Sequence, residues 1–237
     1  MPGQLEGRRI LLTGASRGVG LAAAELLLDE GAEVLGVARD PARLAQVRAD
    51  LAERFDGRFY SLAVDLGAKE AGEAVRAKLE STWAAVDVVI HNAGVMLHRE
   101  GGIMDEPEEV VERSLAVNLM APLRVTQALL PLLERGERPQ LFNVGSGAGA
   151  LAGMAEPGIS SYRLSKWAVH GLTMLMARDL AGKVSVHAFD PGWVQTDLGG
   201  PDAPGTAEQA ARGLLETLLA APDQPCAFYK DGELIAW

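Results

Sequence analysis

Short apolar runs alternate with longer amphipathic stretches along the whole chain, and this limits the fold more than any other feature. Arg9 to Leu12, Glu33 to Ala38, Arg58 to Val64, Gln140 to Val144 and Val184 to Phe189 read as strands. Val86 to Ile90 is nearly pure β-branched, the mark of a strand buried on both faces. Helical patterns lie between them. Leu21 to Leu28 is stopped by Gly31, and Asp40-Pro41 has the form of an N-cap followed by proline at the first helical position. Ala68 to Trp83, Pro107 to Glu134 (bent near Pro122), Ser160 to Leu180 and Thr206 to Leu219 follow, and Cys226 to Tyr229 reads as a last short strand. Strands joined by helical crossovers make a parallel sheet covered on both faces. The expectation is a single doubly wound α/β domain over residues 1–237, with about seven strands. Three irregular stretches, Val95 to Met104, Gly147 to Ile159 and Pro191 to Gly205, follow the fourth, fifth and sixth strands. All three fall at the carboxyl edge of the sheet, where open α/β sheets bind ligands.

Composition narrows the function. With 48% hydrophobic and 23% charged residues the chain can bury a sizeable core. Its formal net charge of −10 disfavours nucleic acids and anionic lipid surfaces as partners. Cys226 is the one cysteine, so no intrachain disulfide or cysteine-cluster metal site can form, and four scattered histidines do not suggest a metal. No run approaches the roughly 18 apolar residues that a bilayer requires, and the start of the chain lacks a leader pattern. A cytoplasmic protein is expected.

Two patterns carry chemistry. The first strand runs into Thr13-Gly14-Ala15-Ser16-Arg17-Gly18-Val19-Gly20 and a helix follows directly. Gly14 allows a tight turn, Gly18 lets backbone approach a pyrophosphate, and Gly20 lets helix and strand pack closely. The second pattern is Tyr162 and Lys166, four apart and therefore on one helix face. An ammonium beside a phenol favours the phenolate, one way to build a general acid/base from a group of ordinary pKa near 10. Ser146 ends the fifth strand at the same edge of the sheet.

Together these pieces resemble the short-chain dehydrogenase/reductase family, with Asp65, Asn92-Ala93-Gly94, Asn118, Tyr162-Arg163-Leu164-Ser165-Lys166 and Pro191-Gly192-Trp193-Val194-Gln195-Thr196 in the family's order and spacing. The resemblance covers nearly the whole chain and implies a Rossmann-type fold and a nicotinamide-dependent oxidoreductase, similar to the carbonyl reductases. It implies that Tyr162 gives the proton in carbonyl reduction, that Lys166 lowers its pKa and holds the nicotinamide ribose, and that Ser146 orients the substrate oxygen. Asn118 would anchor a water linking Lys166 to solvent. The cofactor would lie against Gly14, Ser16, Arg17, Gly18, Val19 and Gly20, with Arg39, Asp65 and Leu66 on the adenosine side and Asn92, Ala93 and Gly94 closing over it. Pro191, Gly192, Val194 and Thr196 would meet the nicotinamide and phosphates. Gly145 stands where many relatives carry a second serine, and the Ser146–Tyr162 stretch is longer than usual.

Cofactor choice is expected at the end of the second strand. The position where NAD users of the family carry an acid is Ala38, followed by Arg39, with Arg17 able to approach from the glycine turn. NADP(H) is therefore expected over NAD(H), with Asp40 turned away to cap the next helix. The loops contribute Met96, Met104, Leu151, Met154 and Trp193, which suggests an uncharged carbonyl compound. Arg99 is the one feature there that could meet an anion, and His98 is the one histidine in reach of a ligand. The resemblance implies pairing through the Pro107–Glu134 and Ser160–Leu180 helices, as a homodimer or homotetramer, with a monomer as the alternative. A dinucleotide-binding regulator with little turnover is the alternative function, and epimerisation or dehydration the alternative chemistry.

Overall fold

The computed structural model describes residues 3–220 and 226–237. Its strands are β1 (Arg9–Thr13), β2 (Glu33–Ala38), β3 (Phe59–Ala63), β4 (Val88–His91), β5 (Gln140–Val144), β6 (Ser185–Phe189), β7 (Phe228–Lys230) and β8 (Glu233–Ile235). They form one sheet in the order β3-β2-β1-β4-β5-β6-β7-β8. The strands from β3 to β7 are parallel, and β8 runs antiparallel to β7. The helices are α1 (Gly18–Asp29), α2 (Pro41–Arg54), α3 (Ala71–Glu80), α4 (Glu108–Leu115), α5 (Ala121–Leu133), α6 (Ser160–Asp179) and α7 (Ala207–Ala220).

Alternation along each strand divides the core in two. Ile10 and Leu12 of β1, with Val88 and Ile90 of β4, pack beneath α1, α2 and α7. Leu11 and Val89 point the other way, into the layer under α3, α5 and α6. Leu11, Leu12, Val89 and Ile90 have no exposed surface. Truncating either leucine to alanine would cost about 2–5 kcal/mol.

Two expectations need correction. The sheet has eight strands where about seven are expected, because the chain returns on itself. Asp231 and Gly232 both have positive φ (51° and 75°), the geometry of a two-residue hairpin, so Glu233 pairs back with Lys230. Trp237 then stacks on Phe228 at 5.4 Å and meets His170 edge-on at 5.7 Å. The bend expected near Pro122 is a π-helical turn, Ala116–Met120, between α4 and α5. Pro122 has no N–H to donate to the carbonyl of Asn118 four residues back, so the α-helical ladder cannot continue through this point unbroken. By length and hydropathy Glu108–Leu133 would suffice to cross a bilayer. Here its residues Val125, Leu129, Leu132 and Leu133 lie in the core under the sheet.

Candidate active site

The strand order reverses between β1 and β4, opening a crevice at their carboxyl ends. The glycine turn fills one side and Asn92-Ala93-Gly94 the other. Asn92 Nδ2 donates to the carbonyls of Thr13 (2.9 Å) and Gly14 (3.4 Å), and Ala93 N donates to Thr13 Oγ1 (3.0 Å). These bonds stitch β4 to the start of the turn. A Cβ at Gly20 would lie 2.1 Å from the Gly14 carbonyl oxygen, so only glycine lets α1 approach β1 this closely. The N-terminus of α1, Gly18-Val19-Gly20, has no side-chain cap, which leaves N–H groups and the helix dipole for an anion. Thr196, from the loop after β6, reaches this turn: a Cβ at Gly18 would stand 2.9 Å from Thr196 Cγ2.

Across the glycine turn, at the end of β2, Ala38 is buried and Arg39 exposed. Asp40 turns away as expected, its Oδ1 accepting from the backbone N–H of Ala42 (3.0 Å) and Arg43 (3.1 Å) to cap α2. Arg43 is a residue that sequence reasoning missed. Its Nε donates to the Ser16 carbonyl at 3.1 Å, which places a second guanidinium beside the glycine turn. The signal was present, because an N-cap at Asp40 puts Arg43 in the first turn of α2, facing back toward the end of β2. Arg17 is ion-paired with Asp197 of the loop after β6. Asp65 Oδ1 accepts from Gly67 N (3.0 Å) and from Arg113 (2.7 Å), and the Arg113 bond holds its carboxyl below the usual range. Leu66 is buried beside it.

Ser146, Tyr162, Lys166 and Asn118 converge at the carboxyl end of β5. Ser146 follows β5 in extended conformation, and its hydroxyl accepts from Ala148 N at 3.2 Å, capping a 3-10 turn over Gly147–Gly149. That turn lies on α6 because residue 149 is glycine. A Cβ there would be 2.7 Å from the Lys166 backbone carbon. Tyr162 sits in the first turn of α6 and Lys166 one turn on. Lys166 is buried and its ammonium donates to the Val144 carbonyl at 2.7 Å. It lies 5.7 Å from the Tyr162 ring centre. Asn118, in the π turn, is bound on three sides: Oδ1 accepts from Val95 N (2.8 Å), and Nδ2 donates to Val95 O and to Ser165 Oγ (both 2.9 Å). Gly94 lies between them, its absent Cβ 3.5 Å from Asn118 Oδ1 and 3.7 Å from Lys166 Nζ.

The electrostatics differ from the simple pairing that the spacing suggests. Tyr162 retains some exposure, yet its packed surroundings push the phenol up to about 12, against a smaller opposing effect of the Ser146 hydroxyl. Burial pulls Lys166 down to about 8, with Asp190 opposing. Desolvation disfavours both charged forms. His170 is pulled down to about 4, chiefly by burial, and is neutral near pH 7. Its Nε2 accepts from Ser146 N at 3.4 Å and would stand 2.7 Å from a Cβ at residue 145. That contact leaves no room for a side chain at residue 145.

The three loops meet above this site. Arg99 donates to the carbonyls of Asp197 (3.2 Å) and Leu198 (2.8 Å), linking the first loop to the third. Leu97, Ile103, Met104, Leu151 and Trp193 are exposed on these loops. His98 stands 3.7 Å from the buried carboxyl of Glu106.

Known proteins resemble this chain in sequence and fold. Residues 8–206 match the family model for short chain dehydrogenases. The chain is 33% identical over 195 residues to the 3-oxoacyl-[acyl-carrier-protein] reductase FabG of Vibrio cholerae, covering 82% of this chain and 76% of that one. The carbonyl reductase Sniffer of D. melanogaster superposes with a TM-score of 0.86 at 25% identity, over 98% of this chain and 100% of that one. A short-chain dehydrogenase/reductase from Burkholderia multivorans with bound NADP gives 0.86 at 28% identity, over the same shares. This chain belongs to the short-chain dehydrogenase/reductase family, oxidoreductases that bind a nicotinamide dinucleotide.

Proposed function

We propose that the protein is an NADP(H)-dependent oxidoreductase that reduces an uncharged ketone or aldehyde, or oxidises the matching alcohol, with Tyr162 as proton donor. The observation that carries this reading is the convergence of Ser146, Tyr162 and Lys166 beside Gly94 at the sheet's carboxyl edge. The crevice fits a dinucleotide: the side chain is missing where Gly18 and Gly20 form the turn, and the uncapped N-terminus of α1 suits a pyrophosphate. Arg39 and Arg43, with Ala38 in place of an acid, suit a 2′-phosphate. When bound, the nicotinamide supplies or accepts the hydride.

The chain's own residues then handle the proton and the substrate oxygen. Ser146 holds the carbonyl oxygen and Tyr162 Oη protonates it. Lys166 binds the ribose hydroxyls and returns a proton toward solvent. Asn118 contributes through its backbone carbonyl, since its amide is committed to Val95 and Ser165 and Pro122 cannot donate to that carbonyl. An uncharged substrate is supported by the apolar loop side chains and by Arg99, whose guanidinium is bound to backbone carbonyls. Carbonyl reduction is also the activity in the name of Sniffer, and the Burkholderia neighbour binds NADP.

One domain over residues 1–237 holds both cofactor and catalytic groups in this reading, in the cytoplasm and as a homodimer or homotetramer. Support for assembly is a stripe on α6, where Leu164, Trp167, Met174 and Leu175 are exposed and Gly171 has nothing within 4 Å of its Cβ position. The test of function is Tyr162→Phe against a panel of neutral carbonyls with NADPH. Turnover should fall by about 10² or more, while NADPH binding followed by its fluorescence stays unchanged. A mutant keeping more than about a tenth of wild-type activity refutes the assignment.

A further inference from the structure

Asp190 follows β6 directly and is buried, although a lone carboxylate in such a place is costly. Both of its oxygens are engaged with backbone. Oδ2 accepts from Gly147 N at 3.1 Å, in the turn that Ser146 caps. Oδ1 accepts from Gly192 N at 2.9 Å, in the turn that follows Pro191. The acid thus joins the turn after β5 to the turn after β6. The first carries the serine proposed to hold the substrate oxygen, and the second starts the loop proposed to meet the nicotinamide. The strands are already paired up to this level, with Gly145 N on Phe189 O at 2.8 Å and Asp190 N on Tyr229 O at 2.8 Å. Beyond it the side chain of Asp190 takes over from the ladder.

We infer that Asp190 is a positioning residue for the proposed reaction, fixing the Ser146 hydroxyl by clamping the turns at the ends of β5 and β6 together. The inference rests on that functional reading. The fit is close: a Cβ at Gly147 would stand 3.3 Å from Asp190 Oδ2, so the turn has little room to slide. The groups facing Asp190 are Tyr162, Lys166 and His170 from α6, with Lys230 of β7 lying 3.8 Å from the Cβ position of Gly192. Its negative charge favours the protonated forms of Tyr162, Lys166 and His170. The same carboxylate that sets the serine therefore keeps the proton donor loaded.

Asp190→Asn tests both consequences. The amide nearly preserves volume but presents a donor to one of two N–H groups, so one side of the clamp opens. Losing a hydrogen bond to a charged acceptor should lower kcat about ten- to a hundredfold, with the KM for NADPH changed much less. Removing the negative charge lowers the pKa of Tyr162 and of Lys166, so the alkaline limb of the reduction profile should move to lower pH whichever of the two sets it. A kcat within about twofold of wild type overturns the inference, and so does a lowered kcat with an unmoved limb, the result of a merely structural acid. If Asp190→Asn fails to fold, Gly147→Ala crowds Oδ2 while keeping the charge. It should lower kcat without moving the limb, and an unchanged kcat overturns the clamp. Hydrogen exchange at the Gly147 and Gly192 amides reads the clamp without turnover and should accelerate in Asp190→Asn. A wild type with no carbonyl turnover would thus refute the proposed function while the exchange rates still decide the clamp, unchanged rates counting against it.

Discussion

Cofactor choice should yield to two arginines, and their surroundings say how differently. Arg39 is exposed at the end of β2, and Arg43 reaches back from the first turn of α2 to the Ser16 carbonyl at 3.1 Å. A guanidinium on a phosphate makes a charge-assisted bond worth about 1.5–3 kcal/mol. Exposure and salt pull that toward the lower end. Arg39→Ala should therefore cut the NADPH-over-NADH preference roughly tenfold by lowering kcat/KM for NADPH alone. Arg43 has a second task, because it also steadies the glycine turn. Arg43→Ala should lower kcat/KM for both cofactors, with NADPH losing about tenfold more. The assay is kcat/KM for each cofactor with one neutral carbonyl at fixed ionic strength, repeated at higher salt, where the wild-type preference should shrink. A wild type that favours NADH refutes the reasoning, and so does a preference unmoved in both variants.

Two further expectations concern assembly and stability. The wild type should sediment as a homodimer or homotetramer, and Trp167→Glu with Met174→Glu, both on the exposed stripe of α6, as a monomer; a monomeric wild type would refute the proposed assembly, and an unchanged mass in the double variant would place the interface elsewhere. Asp87 accepts from Arg9 N (2.8 Å), Arg9 Nε (2.9 Å), Arg9 Nη2 (2.8 Å) and Glu137 N (2.7 Å), so Asp87→Ala should cost about 3–5 kcal/mol and lower Tm by roughly 6–15 °C. These bonds outweigh its burial and hold its carboxyl below the usual range. Its contribution is therefore complete above the unfolded pKa near 4 and lost as pH falls through the lower folded value. The Tm gap between wild type and variant should narrow as pH falls below about 4, and a gap of constant size through that range would contradict this.

Most of the frame was legible because its causes are local. The short apolar runs and their helical crossovers predict the parallel sheet, and Leu11 and Leu12 pointing to opposite layers is a strand buried on both faces seen directly. What escaped depends on contacts distant in sequence or on backbone geometry that leaves no pattern. The turn at Asp231-Gly232 was readable, but Glu233-Leu234-Ile235 is too short to announce a returning strand. The π turn at Ala116–Met120 has ordinary helix composition, and only Pro122 hints at it. In the candidate site, the spacing of Tyr162 and Lys166 puts them on one helix face, and the family resemblance singles them out together with Ser146. The ion pair of Arg17 with Asp197 was not legible, because the two lie 180 residues apart in sequence. Asp190 belongs to no motif that the sequence singles out. Its burial is a tertiary fact, made by Gly147 on one side and Gly192 on the other.

The distribution of charge shows how an acidic protein can hold an anion. At a net charge of −10 the long-range field repels a dinucleotide phosphate. Within a Debye length of about 8–10 Å the local balance decides instead. Around the glycine turn three arginines gather, Arg17, Arg39 and Arg43, and the acids close to them have other commitments. Asp40 accepts two N–H groups at the start of α2, Asp65 is bound by Arg113 and Gly67 N, and Asp197 is paired with Arg17. A committed carboxylate still carries its charge, but its lone pairs already face donors, so it repels an incoming phosphate less than a free one would. The uncapped N–H groups of α1 add a fixed positive field at the same place. At the proposed cofactor site the acids would thus build the walls, and the binding field would be left to arginine and backbone.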